Sequence, residues 1–144
     1  MQEHLEIVKK QFESDNYARF MGIAIDKLTD DTIQMHMQLR ENMLNLFNRP
    51  HGGAIYALAD AAFSVLGNST NNLSVALDCS MTYHASPDPG TILIVEGETL
   101  STTRRTGAFL FKVYMEKEGT RVLVATMKSL LYRTGKPIDP NIEQ

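Results

Sequence analysis

Between Arg49 and Asp78 the sequence carries a single formal charge, Asp60, set in the most apolar segment of the chain. Aspartate is a poor interior helix residue, and a buried carboxylate without partners is costly. Asp60 either faces solvent, or hydrogen-bonds a neighbouring loop, or is kept for chemistry. Ahead of it stands Pro50-His51-Gly52-Gly53. Paired glycines let a ligand approach the backbone, and the first turn of a helix offers unpaired N–H groups and a partial positive charge. Such a turn can stabilise the negative oxygen of an acyl-transfer intermediate, although Gly-Gly also serves as a plain tight turn. Asp60 lies seven residues beyond Gly53, about 10 Å along a helix axis. Reacting groups need contacts of about 3 Å, so one carbonyl cannot touch both within one chain. If both act, they come from two copies meeting across a two-fold interface. Full activity of a monomer at high dilution would refute this.

Other chemistries find less support. His4, His36, His51 and His84 lack the spacing of a metal-ligand set, and no metal is expected. There is no G-x-S-x-G elbow and no glycine-rich phosphate or dinucleotide loop. The one cysteine, Cys79, excludes an intrachain disulfide and reads as a buried strand residue. Fourteen Lys and Arg against seventeen Asp and Glu give a net charge of -3, so no positive field attracts nucleic acid. No apolar run is long enough to span a bilayer and no signal peptide is visible, so a reducing cytoplasm is expected.

The elements that must position Asp60 follow from periodicity. Residues 3–13 and 15–21 read as an N-terminal helical segment, and 22–39 as a hairpin turning at Thr29-Asp30-Asp31-Thr32. From Gly52 to Gly67, Ile55, Leu58, Ala59, Ala62, Val65 and Leu66 share one sector of a helical wheel, and most of the remaining circumference is apolar too, so this helix is expected to be buried. Four strands follow, over 73–83, 91–101, 108–118 and 121–133, the last two joined at Glu118-Gly119-Thr120. Residues 134–144 read as an unpaired tail. The expectation is one α+β domain over 1–144, a curved antiparallel sheet around one long central helix.

Met43-Leu44-Asn45, then His51-Gly52-Gly53, then Ala57-Leu58-Ala59-Asp60 and Asn68-Ser69 resemble the PaaI-like hotdog-fold acyl-CoA thioesterases. Val75 to Tyr83 with Ala85-Ser86-Pro87, and Arg104-Arg105-Thr106-Gly107, are similar as well, so the resemblance runs over about residues 20–133. It implies a homodimer, often a dimer of dimers, acting on an acyl-CoA with no cofactor beyond the CoA of the substrate. It implies Asp60 as general base or nucleophile, the Gly53 N–H as oxyanion donor, Asn45 orienting the water or thioester, and His51 fixing the loop. Some relatives carry a hydroxyl on the strand after the helix. Ala76 takes that place here, so that assistance is either absent or comes from elsewhere, with Ser80 or Thr82 as the candidates. Gly52, Tyr56, Phe63, Ser64, Met81 and Tyr83 are candidates for lining the substrate pocket, and Arg104 and Arg105 for holding the CoA phosphates, because guanidinium forks match phosphate oxygens. Two other readings stand beside hydrolysis: an acyl-CoA-binding hotdog protein without turnover, and a hotdog hydratase or dehydratase. The second needs a catalytic histidine, whereas His51 belongs to the glycine turn.

Overall fold

The computed structural model describes residues 2–142; Met1 at the start of the N-terminal segment, and Glu143 and Gln144 of the tail, lie outside the described residues. Two short helices, α1 (Glu3–Phe12) and α2 (Asn16–Met21), lead into the hairpin β1 (Ala24–Leu28) and β2 (Thr32–Gln38). A 3-10 turn (Glu41–Met43) and a tight loop precede α3 (Gly52–Gly67), after which β3 (Ser74–Tyr83), β4 (Ile92–Thr102), β5 (Thr106–Lys117) and β6 (Thr120–Arg133) complete the chain. The strands form one antiparallel sheet in the order β1-β2-β4-β5-β6-β3.

The long helix is the filling and the sheet is the wrap. The predicted sector Ile55, Leu58, Ala59, Ala62, Val65 and Leu66 is buried, against Met35, Met37, Leu93, Val95, Phe111, Val113 and Met127 from the sheet. Methionines therefore fill this core, as flexible unbranched side chains do where gaps are irregular. Gly97 on β4 is required by a close approach: a Cβ there would overlap the Phe111 ring.

Strand order leaves two open edges, and they differ. β1 is five residues long and carries Asp26 and Lys27, charges that discourage pairing with another chain. β3 is ten residues long, contains no proline, and exposes Val75, Leu77 and Tyr83. Such an edge invites a further strand.

The tail is not unpaired. Thr134 N–H donates to the Leu73 carbonyl and Leu73 N–H to the Lys136 carbonyl, extending the β3 end of the sheet. Fully buried Asn71 then accepts the N–H groups of Ile138 and Asp139 on Oδ1 and donates Nδ2–H to the carbonyls of Asp139 and Ile142. Composition alone misleads here, because one asparagine supplies the partners that a proline-rich segment cannot find within itself.

Candidate active site

Asp60 sits midway along α3, half-buried, on the face away from the core. Among the described residues its carboxylate has no hydrogen-bond or ion-pair partner. Burial raises its pKa above the ordinary aspartate value, and the negative charge of Asp15 raises it further. Asp15 is itself fixed, because its side chain caps α2 by accepting the Ala18 N–H at 2.9 Å. Tyr56, one turn before Asp60, reaches across to Cys79 on β3. Its contact with that thiol, burial, and the nearby Asp60 charge push the phenol up to about 12. Cys79 is half-buried, and that burial pushes its thiol up as well, so it stays protonated and is no nucleophile.

The start of α3 is built by its own cap. His51 is the N-cap residue, and its Nδ1 accepts the Gly53 N–H at 2.8 Å. The Gly53 amide, the expected oxyanion donor, is thus engaged by its own cap in this structure, while the Gly52 N–H has no partner among the described residues. Tyr83 packs over this point and donates its hydroxyl to the Gly52 carbonyl at 3.0 Å. The loop before the helix hangs on Asn45. Its Oδ1 accepts the N–H groups of Phe47 (2.8 Å) and Arg49 (3.1 Å), and the backbones of Asn45 and Arg49 also pair. That leaves Asn45 Nδ2–H as a donor with no partner among the described residues. Arg49 anchors the loop to Ser86 and Pro87. Gly52 and Asp60 are eight residues apart in one helix, about 12 Å. The donor end and the carboxylate end therefore lie too far apart in one protomer to share a carbonyl.

The remaining candidates divide. Ser64 is exposed, one turn beyond Asp60 on the same face. Met81 is half-buried against the core. Phe63 is core rather than pocket: it is 3% exposed and packs against Phe109 and Phe111 with ring centroids 5.6 and 5.8 Å away. Phe63→Ala should cost about 3–5 kcal/mol in denaturant unfolding and leave the ranking of substrates unchanged. Ser80 and Thr82 pair with Lys128 and Thr126 on the outer face of the sheet, with the helix on the other side, so neither can replace a hydroxyl facing α3. Cys79 and Met81 hold the inward positions, and Cys79 is paired across the sheet with Ser129, a buried hydroxyl without a partner among the described residues.

Arg104 and Arg105 are brought together with a residue the sequence reading missed. Arg133 joins them around a cleft of about 360 Å³ that Asn72 and Thr134 also line. Arg105 is held by the Tyr132 hydroxyl, and Arg133 by the Thr103 carbonyl and Thr70 hydroxyl. Among the described residues no carboxylate forms an ion pair with any of the three. A signal for Arg133 was present in the sequence: counting back from a hairpin closing at Gly119 sets Arg104 and Arg105 opposite Arg133 and Tyr132, and a β-bulge at Val113/Tyr114 moves this by one residue, to Thr106 opposite Tyr132.

A family model described as the thioesterase superfamily matches residues 47–122, just over half of the chain. The acyl-coenzyme A thioesterase PaaI of Escherichia coli strain K12 is 26% identical, over 88% of this chain and 89% of that protein. The structure of the E. coli PaaI protein from the phenylacetic acid degradation operon superposes with a TM-score of 0.87 at 24% identity, covering 94% of this chain and 96% of that one. A mutant of the phenylacetic acid degradation protein PaaI from Thermus thermophilus gives 0.75 at 28% identity, covering 81% and 97%. The shared fold is the hotdog.

Proposed function

This chain belongs to the thioesterase superfamily, and from that premise we propose that it hydrolyses an acyl-CoA to the free acid and CoA at a site shared by two copies. The observation that carries the reading is the unpartnered Asp60 carboxylate, on the same helix as the open N–H of Gly52 but out of its reach. Asp60 of one protomer takes a proton from water, and the resulting hydroxide adds to the thioester carbonyl carbon. The oxygen that becomes negative accepts the N–H of Gly52, and Nδ2–H of Asn45, from the other protomer. The tetrahedral intermediate then expels the CoA thiolate, which recovers the proton from Asp60. A thioester carbonyl has little resonance stabilisation, so one carboxylate with an oxyanion hole suffices and the proposal requires no cofactor. The open β3 edge and its exposed apolar side chains support the partner copy; whether dimers pair again belongs to the same proposal. Among the described residues no helix is long and apolar enough to cross a membrane.

Arg104, Arg105 and Arg133 are proposed to hold the CoA phosphates. Their cleft lies at the Ser74 end of β3, about 16 Å of strand from Cys79 at 3.3 Å per residue, a span suited to a pantetheine arm. Arg104→Ala and Arg133→Ala should each raise KM for acyl-CoA about tenfold to a hundredfold, the equivalent of one charged hydrogen bond. They should leave an acyl-pantetheine thioester, which lacks the nucleotide phosphates, unaffected. The primary test is thiol release from a panel of acyl-CoAs by the purified protein. Release supports hydrolysis; tight binding without release would make the chain a binding protein, and water addition to an enoyl-CoA a hydratase.

A further inference from the structure

A groove of about 380 Å³ runs between α1, the second half of α3, and the C-terminal segment. We infer that it seats the acyl group of the substrate, and that the preferred substrates carry an apolar acyl group of medium length. The inference rests on the reading of Asp60 as the hydrolytic carboxylate.

Three observations support it. The first is place. Ser64 lines the groove one helical turn from Asp60 on the same face, and Asp15 lines it while acting on the Asp60 carboxylate through its charge. The groove therefore begins where the thioester carbonyl would be attacked. The second is the chemistry of the walls. Val8, Phe12, Leu73 and Ile138 are apolar, and the one charged side chain is the acid Asp15, at the Asp60 end. Such walls repel phosphates and suit a neutral hydrocarbon. Asn68, also on the wall, has its amide committed to the Ser64 carbonyl and the Ser74 N–H, so it places no demand on the occupant. The third is rigidity. Ile138 is held by Asn71, and the adjoining segment by Leu73, so the groove is preformed and ordering it costs the ligand little. Its size sets the scale: a cavity of about 150 Å³ accommodates six-carbon benzene, which scales to at most about fifteen carbons in this groove, and to about eight to twelve where part of its mouth stays open to solvent.

The test is a series of straight-chain acyl-CoAs, from acetyl to palmitoyl, assayed by thiol release with wild type, Ile138→Trp and Phe12→Ala. The wild-type kcat/KM should rise from acetyl to a maximum between about eight and twelve carbons. Ile138→Trp fills the groove and should cut kcat/KM for decanoyl-CoA at least about tenfold, the effect of losing one or two buried methylenes' worth of contact, while acetyl-CoA is unaffected. Phe12→Ala lengthens the groove and should move the maximum to longer chains, a gain that a merely destabilised fold would not produce. The inference is overturned if Ile138→Trp slows all chain lengths alike, which would put the pantetheine arm in the groove, or if neither variant alters the profile. Failure of the parent reading looks different: no thiol is released from any acyl-CoA by wild type.

Discussion

Asp60→Asn is expected to lower kcat for thiol release by about 10²–10⁴-fold, the usual contribution of a positioned general base, and at the same time to stabilise the fold at neutral pH. The two effects share one cause. Asp60 is held half-buried, without a partner, and facing the charge of Asp15, so its pKa in the folded protein lies above the ordinary aspartate value. The folded state thus keeps this proton to a higher pH than the unfolded chain does. As pH rises from the ordinary value of 3.8 through the raised one, the unfolded state is favoured by the difference in protons bound. Asparagine removes that penalty. Melting temperatures of wild type and variant should therefore converge at acid pH and separate as pH rises through the raised value, then run parallel. The acid limb of the wild-type pH–rate profile should fall at that same raised value, and Asp15→Asn, which keeps a capping side chain on α2, should move the limb to lower pH. Retention of turnover by Asp60→Asn would end the hydrolytic mechanism. Equal melting temperatures at every pH would show instead that the carboxylate is not desolvated.

Gly52→Pro should lower kcat by about 10²–10³-fold, or about 3–4 kcal/mol of transition-state stabilisation, with the helix intact. Proline has no N–H, yet it is well tolerated at the first position of a helix. His51 already holds the extended conformation (φ -66°, ψ 134°) that a residue before proline adopts. Gly52→Ala is the matched control. It keeps the N–H, and its Cβ would meet the Tyr83 ring at 3.4 Å, an ordinary contact, so most activity should survive. If the proline variant turned over at the wild-type rate, the donor would be another amide. The Gly53 N–H, once released from His51 Nδ1, would be the next to test.

Both predictions concern one helix, and they show where the sequence is informative. A lone acid in an apolar segment and a glycine pair at its start are chemically unusual and can be read without coordinates, whereas Asn45 stands out only through the family resemblance. That His51 engages the Gly53 N–H and leaves the Gly52 N–H open was not legible. It depends on which amide the His51 ring takes, and an imidazole at an N-cap can reach only the nearer groups its rotamer allows. Phe63 failed as a pocket residue for a similar reason. Helical spacing gives its direction to within part of a turn, but Phe109 and Phe111, more than forty residues later, decide that this direction is interior.

The sequence by itself determined the elements, because period and turn chemistry are local: α3, the two hairpins and their strands follow from residues a few positions apart. It also determined that the carboxylate and the helix start cannot serve one carbonyl within one chain, since a helix has a fixed rise per residue. Tertiary structure alone decided what meets across long stretches of sequence. It placed β3 beside β6 instead of β4, left the β3 edge open, gathered Arg133 with Arg104 and Arg105, and folded the tail against Asn71 to wall a groove that Asp15 and Ser64 also line. Those outcomes depend on the burial of surfaces from the whole chain at once, and no local pattern encodes them.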